Sequence, residues 1–111
     1  MSYFLPLKVA SADTGDLSAE FTSDTLTVQA RAKIAIQTIF SGTGIEGQVW
    51  LDKSLDGTNW TKDHNTACRV TGTSEAPIFD ILDTAIPCFR VHWTPTAGTG
   101  TMTIKTYTKT L

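Results

Sequence analysis

Asp52, Ser54, Asp56 and Asp63, with Gly57 between them, match the residue types and spacing by which a calcium loop supplies oxygen ligands. Such a loop also needs flanking helices and a closing bidentate Glu. Here strand-like residues flank it and the last residue is Asp, so the expectation is a hairpin in which Asp56 bonds local backbone and no metal is held. His64, His92, Cys68 and Cys88 have none of the close paired spacings of a zinc site. No serine sits in a G-x-S-x-G elbow, and no glycine-rich loop precedes a helix to cradle phosphate. The pattern predicts no enzyme and no cofactor. The remaining chemical asset is three tryptophans, Trp50, Trp60 and Trp93, whose rings can fill a core, stack on a sugar or anchor a protein contact.

The stretch that positions most of these residues is Gly47 to Trp60, GQVWLDKSLDGTNW. Val49, Leu51 and Lys53 alternate with Trp50, Asp52 and Ser54 along an extended chain that meets the turn dipeptide Asp56-Gly57. Thr58, Asn59 and Trp60 are expected to begin the return strand. On this reading Ser54, Asp56, Gly57 and Trp60 form a structural hairpin. Trp60 and Trp93 belong to the core, and Trp50 faces outward unless both faces of the sheet are covered.

The alternation continues on either side. Leu17, Ala19 and Phe21 suggest a short strand, Leu26 to Ala30 another, and Lys33 to Phe40 a third with Ile34, Ile36, Thr38 and Phe40 on one face. Ser41-Gly42-Thr43-Gly44 reads as a connection. Thr66 to Thr71, Ile78 to Leu82, Pro87 to Thr94 and Thr101 to Lys109 are further strands, with turns at Gly72 to Ala76 and Thr96 to Gly100. Phe89, Val91 and Trp93 make one apolar face, and Met102 and Ile104 point inward. Threonine is the most frequent residue, and its abundance with Val, Ile and aromatics favours pleated backbone. The fold expected is all-β, an antiparallel β-sandwich of jelly-roll or immunoglobulin-like type with about eight strands.

The chain has 111 residues, the size of one domain. Residues 1–15 read as an extended arm or edge strand and residues 16–111 as the sandwich. Pro6 lacks the amide that a central strand needs, while Tyr3, Phe4, Leu5, Leu7 and Val9 make the arm apolar, so these five residues and Trp50 are the candidate interface. A net charge of −2, from nine basic and eleven acidic residues, gives no footprint for nucleic acid. No apolar run reaches a membrane span, and the N-terminus has no basic region of a secretory signal, so synthesis in a cytosol is expected. Cys68 and Cys88 are read as free thiols.

Three pieces of the chain, SGTGIEGQVWLDKSLDGTNW, CFRVHW and TAGTGTMTIK, carry a resemblance. A glycine-bearing turn leads into a strand ending in S-x-D-G-x-x-W. A strand with an aromatic-Arg-aliphatic step follows, and a Gly-Thr-Gly turn opens the last strand. In this order the chain resembles small β-sandwich proteins in the virions of tailed bacteriophages. The segment Ser54 to Trp60 is also similar to the Asp-box of sialidases, one residue short before its glycine, and that box is itself a structural hairpin. The phage resemblance implies a virion structural protein made in the host cytoplasm, a capsid decoration or tail accessory component. Its partners would be other virion subunits and further copies of itself. The rival reading is a carbohydrate-binding module of a phage adhesion device, using an exposed Trp on a host-surface sugar.

Overall fold

The computed structural model describes residues 8–9, 15–27, 32–81 and 85–110. Tyr3, Phe4, Leu5 and Leu7 of the expected arm lie outside the described residues, as do Ala30 and Arg31. Every described element is a strand, and every pairing is antiparallel. The short strands β1 (Lys8–Val9), β2 (Gly15–Asp16), β3 (Phe21–Thr22) and β4 (Leu26–Thr27) precede the long β5 (Ala32–Ser54). Then come β6 (Thr61–Glu75), β7 (Ile78–Ile81) and the equally long β8 (Cys88–Thr110).

These segments make one open sheet with four lanes. β5 and β8 pair along their whole length, from Ala32 opposite Thr110 to Ser54 opposite Cys88. β6 and then β7 run along the other side of β5, while β1 to β4 form a broken lane along the other side of β8. Val9 therefore pairs within its own chain, opposite Lys105.

The expected row of short strands differs from this in one respect that shapes the molecule. Ser41 to Gly44 and Thr96 to Gly100 are not turns between strands; both lie inside the 23-residue strands β5 and β8. They face one another, with Gly42 opposite Gly100, and the pairing register slips between Thr43 and Gly47. A Cβ on Gly42 would run into the Thr99 carbonyl, and one on Gly100 into the Ser41 carbonyl. Only glycine permits backbones this close, so the two glycine clusters mark a shared bend. A straight strand of this length would extend about 76 Å, yet the longest dimension of the chain is 43 Å. The strands must bend sharply, and the sheet curls over its own side chains.

The core is the inside of that curl. Ile34, Ile36, Thr38 and Phe40 from one arm of β5 are buried, as are Val49 and Leu51 from the other. β8 adds Phe89, Val91, Trp93, Met102 and Ile104, all at the alternate positions their strand pattern predicts. The Phe40 and Trp93 rings, one from each arm, meet with centroids 5.1 Å apart and planes tilted by 54°. Leu17 is buried too, but in a turn rather than in the strand expected there; its carbonyl accepts the Trp93 Nε1 hydrogen bond at 3.0 Å.

Candidate functional site

The outward face of the β5–β8 pair carries a connected polar ladder. Strand alternation puts Gln48, Trp50 and Asp52 on one side of β5 and Arg90, His92 and Thr94 on the same side of β8. The register then sets Asp52 opposite Arg90, Trp50 opposite His92 and Gln48 opposite Thr94. β6 brings Lys62 opposite Asp52, and the residue just before β3, Glu20, arrives from the other edge.

Asp52 is the hub and is only 4% exposed. Its Oδ1 accepts from Trp50 Nε1 at 2.8 Å, while its Oδ2 accepts from Arg90 Nε at 2.9 Å and lies 2.9 Å from His92 Nδ1. Burial pushes the Asp52 carboxyl up, but the hydrogen bonds from His92, Arg90 and Trp50 more than offset it. The group is held below the usual carboxylate range. The other His92 nitrogen, Nε2, lies 3.0 Å from Glu20 Oε2, which also accepts from Thr94 Oγ1 at 3.1 Å. Glu20 is likewise lowered, mainly by the His92 hydrogen bond. Around this chain of bonds the aromatic rings are covered. Trp50 stacks on His92 with centroids 4.4 Å apart, Lys62 Nζ lies 3.9 Å from the Trp50 centroid, and the Arg90 guanidinium sits 4.4 Å from the Trp60 centroid.

An Asp–His pair is the material of acid–base chemistry, but here each ring nitrogen of His92 faces a carboxylate. Neither is aimed at open space where a substrate could exchange a proton. The ladder joins three lanes and the turn before β3. Among the described residues no buried side-chain nitrogen or oxygen lacks a partner, so the ladder is a satisfied network in the sense that stabilises rather than strains.

Two expectations are corrected here. Trp50 points outward, but it is 9% exposed because Lys62, His92 and the Asp52 bond enclose it, so it offers no open platform for a sugar or a partner. A groove of about 390 Å³ passes here, lined by Trp50 itself with Glu46, Gln48, Arg69 and Thr94, so what remains exposed of the ring borders a mixed polar and apolar surface. Trp60 is half-buried rather than core, placed outside the curl and against Arg90.

The loop between β5 and β6 is held by Asp56. Its carboxylate accepts from the amides of Thr58 and Asn59 at 2.8 Å each, from Asn59 Nδ2 at 2.7 Å and from Ser54 Oγ at 2.9 Å. The backbone bonds of Asn59 and Thr58 lead in pulling the Asp56 carboxyl far below its ordinary value. The Ser54 hydroxyl in turn accepts from the Gly57 amide at 2.9 Å. Because these bonds take up Thr58 and Asn59, the return strand starts at Thr61 instead of Thr58. The calcium-like spacing does not converge: Asp52 faces the ladder, Asp56 its own loop, and Asp63 accepts from the Asn65 amide at 3.1 Å.

Cys68 and Cys88 lie on β6 and β8 with β5 between them, opposite Val49 and Ser54 respectively. Two lane spacings of roughly 4.8 Å already exceed what a disulfide spans.

The outer side of β6 has no strand partner among the described residues. The pairing of β6 with β5 slips twice, between Ser41 and Ile45 and where Asp63 to Cys68 bulges against Val49 to Leu51; at the second, Thr66 Oγ1 accepts from the Leu51 amide and donates to the Asp63 carbonyl, both at 2.8 Å. The exposed large apolar side chains of the described residues are Leu55, 74% exposed in the loop before β6, and Ile78, 61% exposed at the start of β7 and close to residues 65–68 of β6.

Sequence reasoning placed Asp52, Arg90 and His92 in the right strands but did not join them, and it missed Glu20 and Lys62. The available signal was parity: Trp50 and Asp52 share an outward face, as do Arg90 and His92. No family model, no curated protein and no solved structure matches this chain.

Proposed function

We propose that this chain is a non-enzymatic structural component of a tailed-bacteriophage virion, a capsid decoration or tail accessory protein that acts by contact with neighbouring virion subunits. The observation that carries the reading is the outer edge of β6, which has no strand partner among the described residues, together with the exposed Leu55 before β6 and Ile78 after it. Unpaired strand edges and exposed apolar side chains are the two features by which β domains add to one another. A second support is that the three pieces carrying the phage resemblance lie side by side, SGTGIEGQVWLDKS on β5 against CFRVHW and TAGTG on β8. In this reading the curled sheet acts as a β-sandwich whose two arms close on the Phe40–Trp93 contact. Residues 1–7, with Tyr3, Phe4, Leu5 and Leu7, supply a further contact along a neighbour. Trp50 is set aside as a contact because it is enclosed.

The reading makes separable demands on two variants. Leu55→Glu with Ile78→Glu alters exposed side chains and should shift folding stability by no more than about 0.5 kcal/mol, while abolishing co-sedimentation with purified particles. Deleting residues 1–7, which leaves β1 in place, should weaken co-sedimentation and leave thermal unfolding unchanged. If the double variant still binds particles as the parent chain does, the β6 edge is not the contact.

A further inference from the structure

His92 is held between two carboxylates by both of its ring nitrogens, at 2.9 Å to Asp52 and 3.0 Å to Glu20. Ionised carboxylates only accept hydrogen bonds, so both contacts are favourable only when both nitrogens carry a proton, as in the imidazolium. A neutral ring has one N–H and one lone pair, and its lone pair would face an oxygen lone pair. The two ends are not equivalent. The Asp52 side chain is 6% exposed and is fixed by Trp50 and Arg90 as well, whereas the Glu20 side chain is 60% exposed and can turn to water at little cost. The remaining proton therefore stays on Nδ1, and the contact that fails is the one to Glu20.

We propose that His92 is a proton-dependent brace: as imidazolium it ties the segment before and through β3 to the face of the sheet, and on losing one proton it lets that segment go. What hangs on the Glu20 end is limited and defined. β3 has only two residues, paired with His92 and Trp93. On either side the chain is pinned by other bonds, Leu17 by its amide to Gly100 O and its carbonyl from Trp93, and Ser23 by its amide to Val91 O and its Oγ from the Val91 amide. Asp16 holds the Ser18 and Ala19 amides, so the brace governs residues 20–22 and leaves their anchors closed. Among the described residues, the charged and polar groups around His92, besides Thr22 paired opposite it on β3, come from each packed element. They are Asp52 and the stacked Trp50 from β5, Glu20 from the turn, Arg90 and Thr94 from β8, and Lys62 of β6 against Trp50. Arg90 and Lys62 are bound to Asp52 and to the Trp50 ring, not to His92, so neither replaces the lost proton.

The sign follows from the lowered Glu20 and Asp52 carboxyls. Both remain ionised as pH falls toward the carboxylate range, so the brace is closed while His92 carries both ring protons and opens at higher pH when one is lost.

The test uses the intact chain labelled with nitrogen-15. Long-range nitrogen–proton spectra follow the ring nitrogens of His92, with His64 as the internal comparison, while amide exchange is read at residues 20–22. The expected result is an imidazolium at low pH, the Nδ1–H tautomer above the titration, and exchange at residues 20–22 that rises roughly five- to tenfold beyond the intrinsic pH effect, the size of one hydrogen bond lost. The Leu17 and Ser23 amides should not follow. In Glu20→Gln the amide can accept from the charged ring or donate to the neutral one, so the pH step in exchange should vanish while the fold persists. An Nε2–H tautomer at high pH, or a step that survives Glu20→Gln, would overturn the proposal.

Discussion

Trp93→Ala should destabilise the chain by about 3–5 kcal/mol, the range for removing a large buried aromatic. The ring is fully buried where the two arms of the bent sheet meet, against Phe40 at 5.1 Å. Its Nε1 also donates to the Leu17 carbonyl, so truncation leaves a cavity and an unpaired acceptor together. Leu17 is tied to Gly100 through its amide as well, so the loss reaches the N-terminal lane. Equilibrium denaturant curves of the variant and the parent would measure it. A change below about 1 kcal/mol would mean that the arms do not close on this ring. Trp60→Ala is the useful contrast, since Trp60 is only half-buried and should cost clearly less.

The second large effect is expected at Gly98, on the β8 side of the bend. Its φ of 95° is a conformation that L side chains rarely adopt, and a Cβ there would strike the Gly44 carbonyl. Strain of about 1–3 kcal/mol combines with an overpacking cost of about 1–3 kcal/mol, so Gly98→Ala should destabilise by roughly 2–6 kcal/mol. Because the two glycine clusters set the curvature, the loss should appear as a lowered denaturation midpoint together with greater exposure of the Trp93 fluorophore in the native baseline. Gly44→Ala is the control with strain and no clash, as open space surrounds that position. If Gly98→Ala costs no more than Gly44→Ala, the close approach of the strands does not hold the bend.

These two positions also show what the sequence made legible and what it hid. Ile34 to Phe40, Phe89 to Trp93 and Met102 to Ile104 declare themselves because a half-buried strand alternates with period two, and one face of each is apolar. Gly42, Gly44, Gly98 and Gly100 mislead for an equally physical reason. Glycine marks tight turns and close backbone contact alike, and only the partner strand distinguishes them. Nothing local says that Gly42 lies opposite Gly100. Trp50 and Asp52 were legible as outward-facing but not as enclosed, because the covering groups Lys62, Arg90 and His92 come from other lanes. Glu20 is separated from His92 by the whole of β5, β6 and β7, and no pattern within a strand connects them. The hairpin is the local exception: Ser54, Asp56 and Gly57 close it with bonds that span three residues or fewer.

The central claim, a structural role in a virion through subunit contacts, is tested most directly by electron microscopy of particles assembled with and without this chain. Labelling of the chain in the complete particles would locate it. The account predicts regularly placed density on the capsid or tail that is absent when the chain is omitted, and absent again when only the Leu55→Glu, Ile78→Glu form is supplied. Particles identical in both preparations, with no label on either, would contradict it.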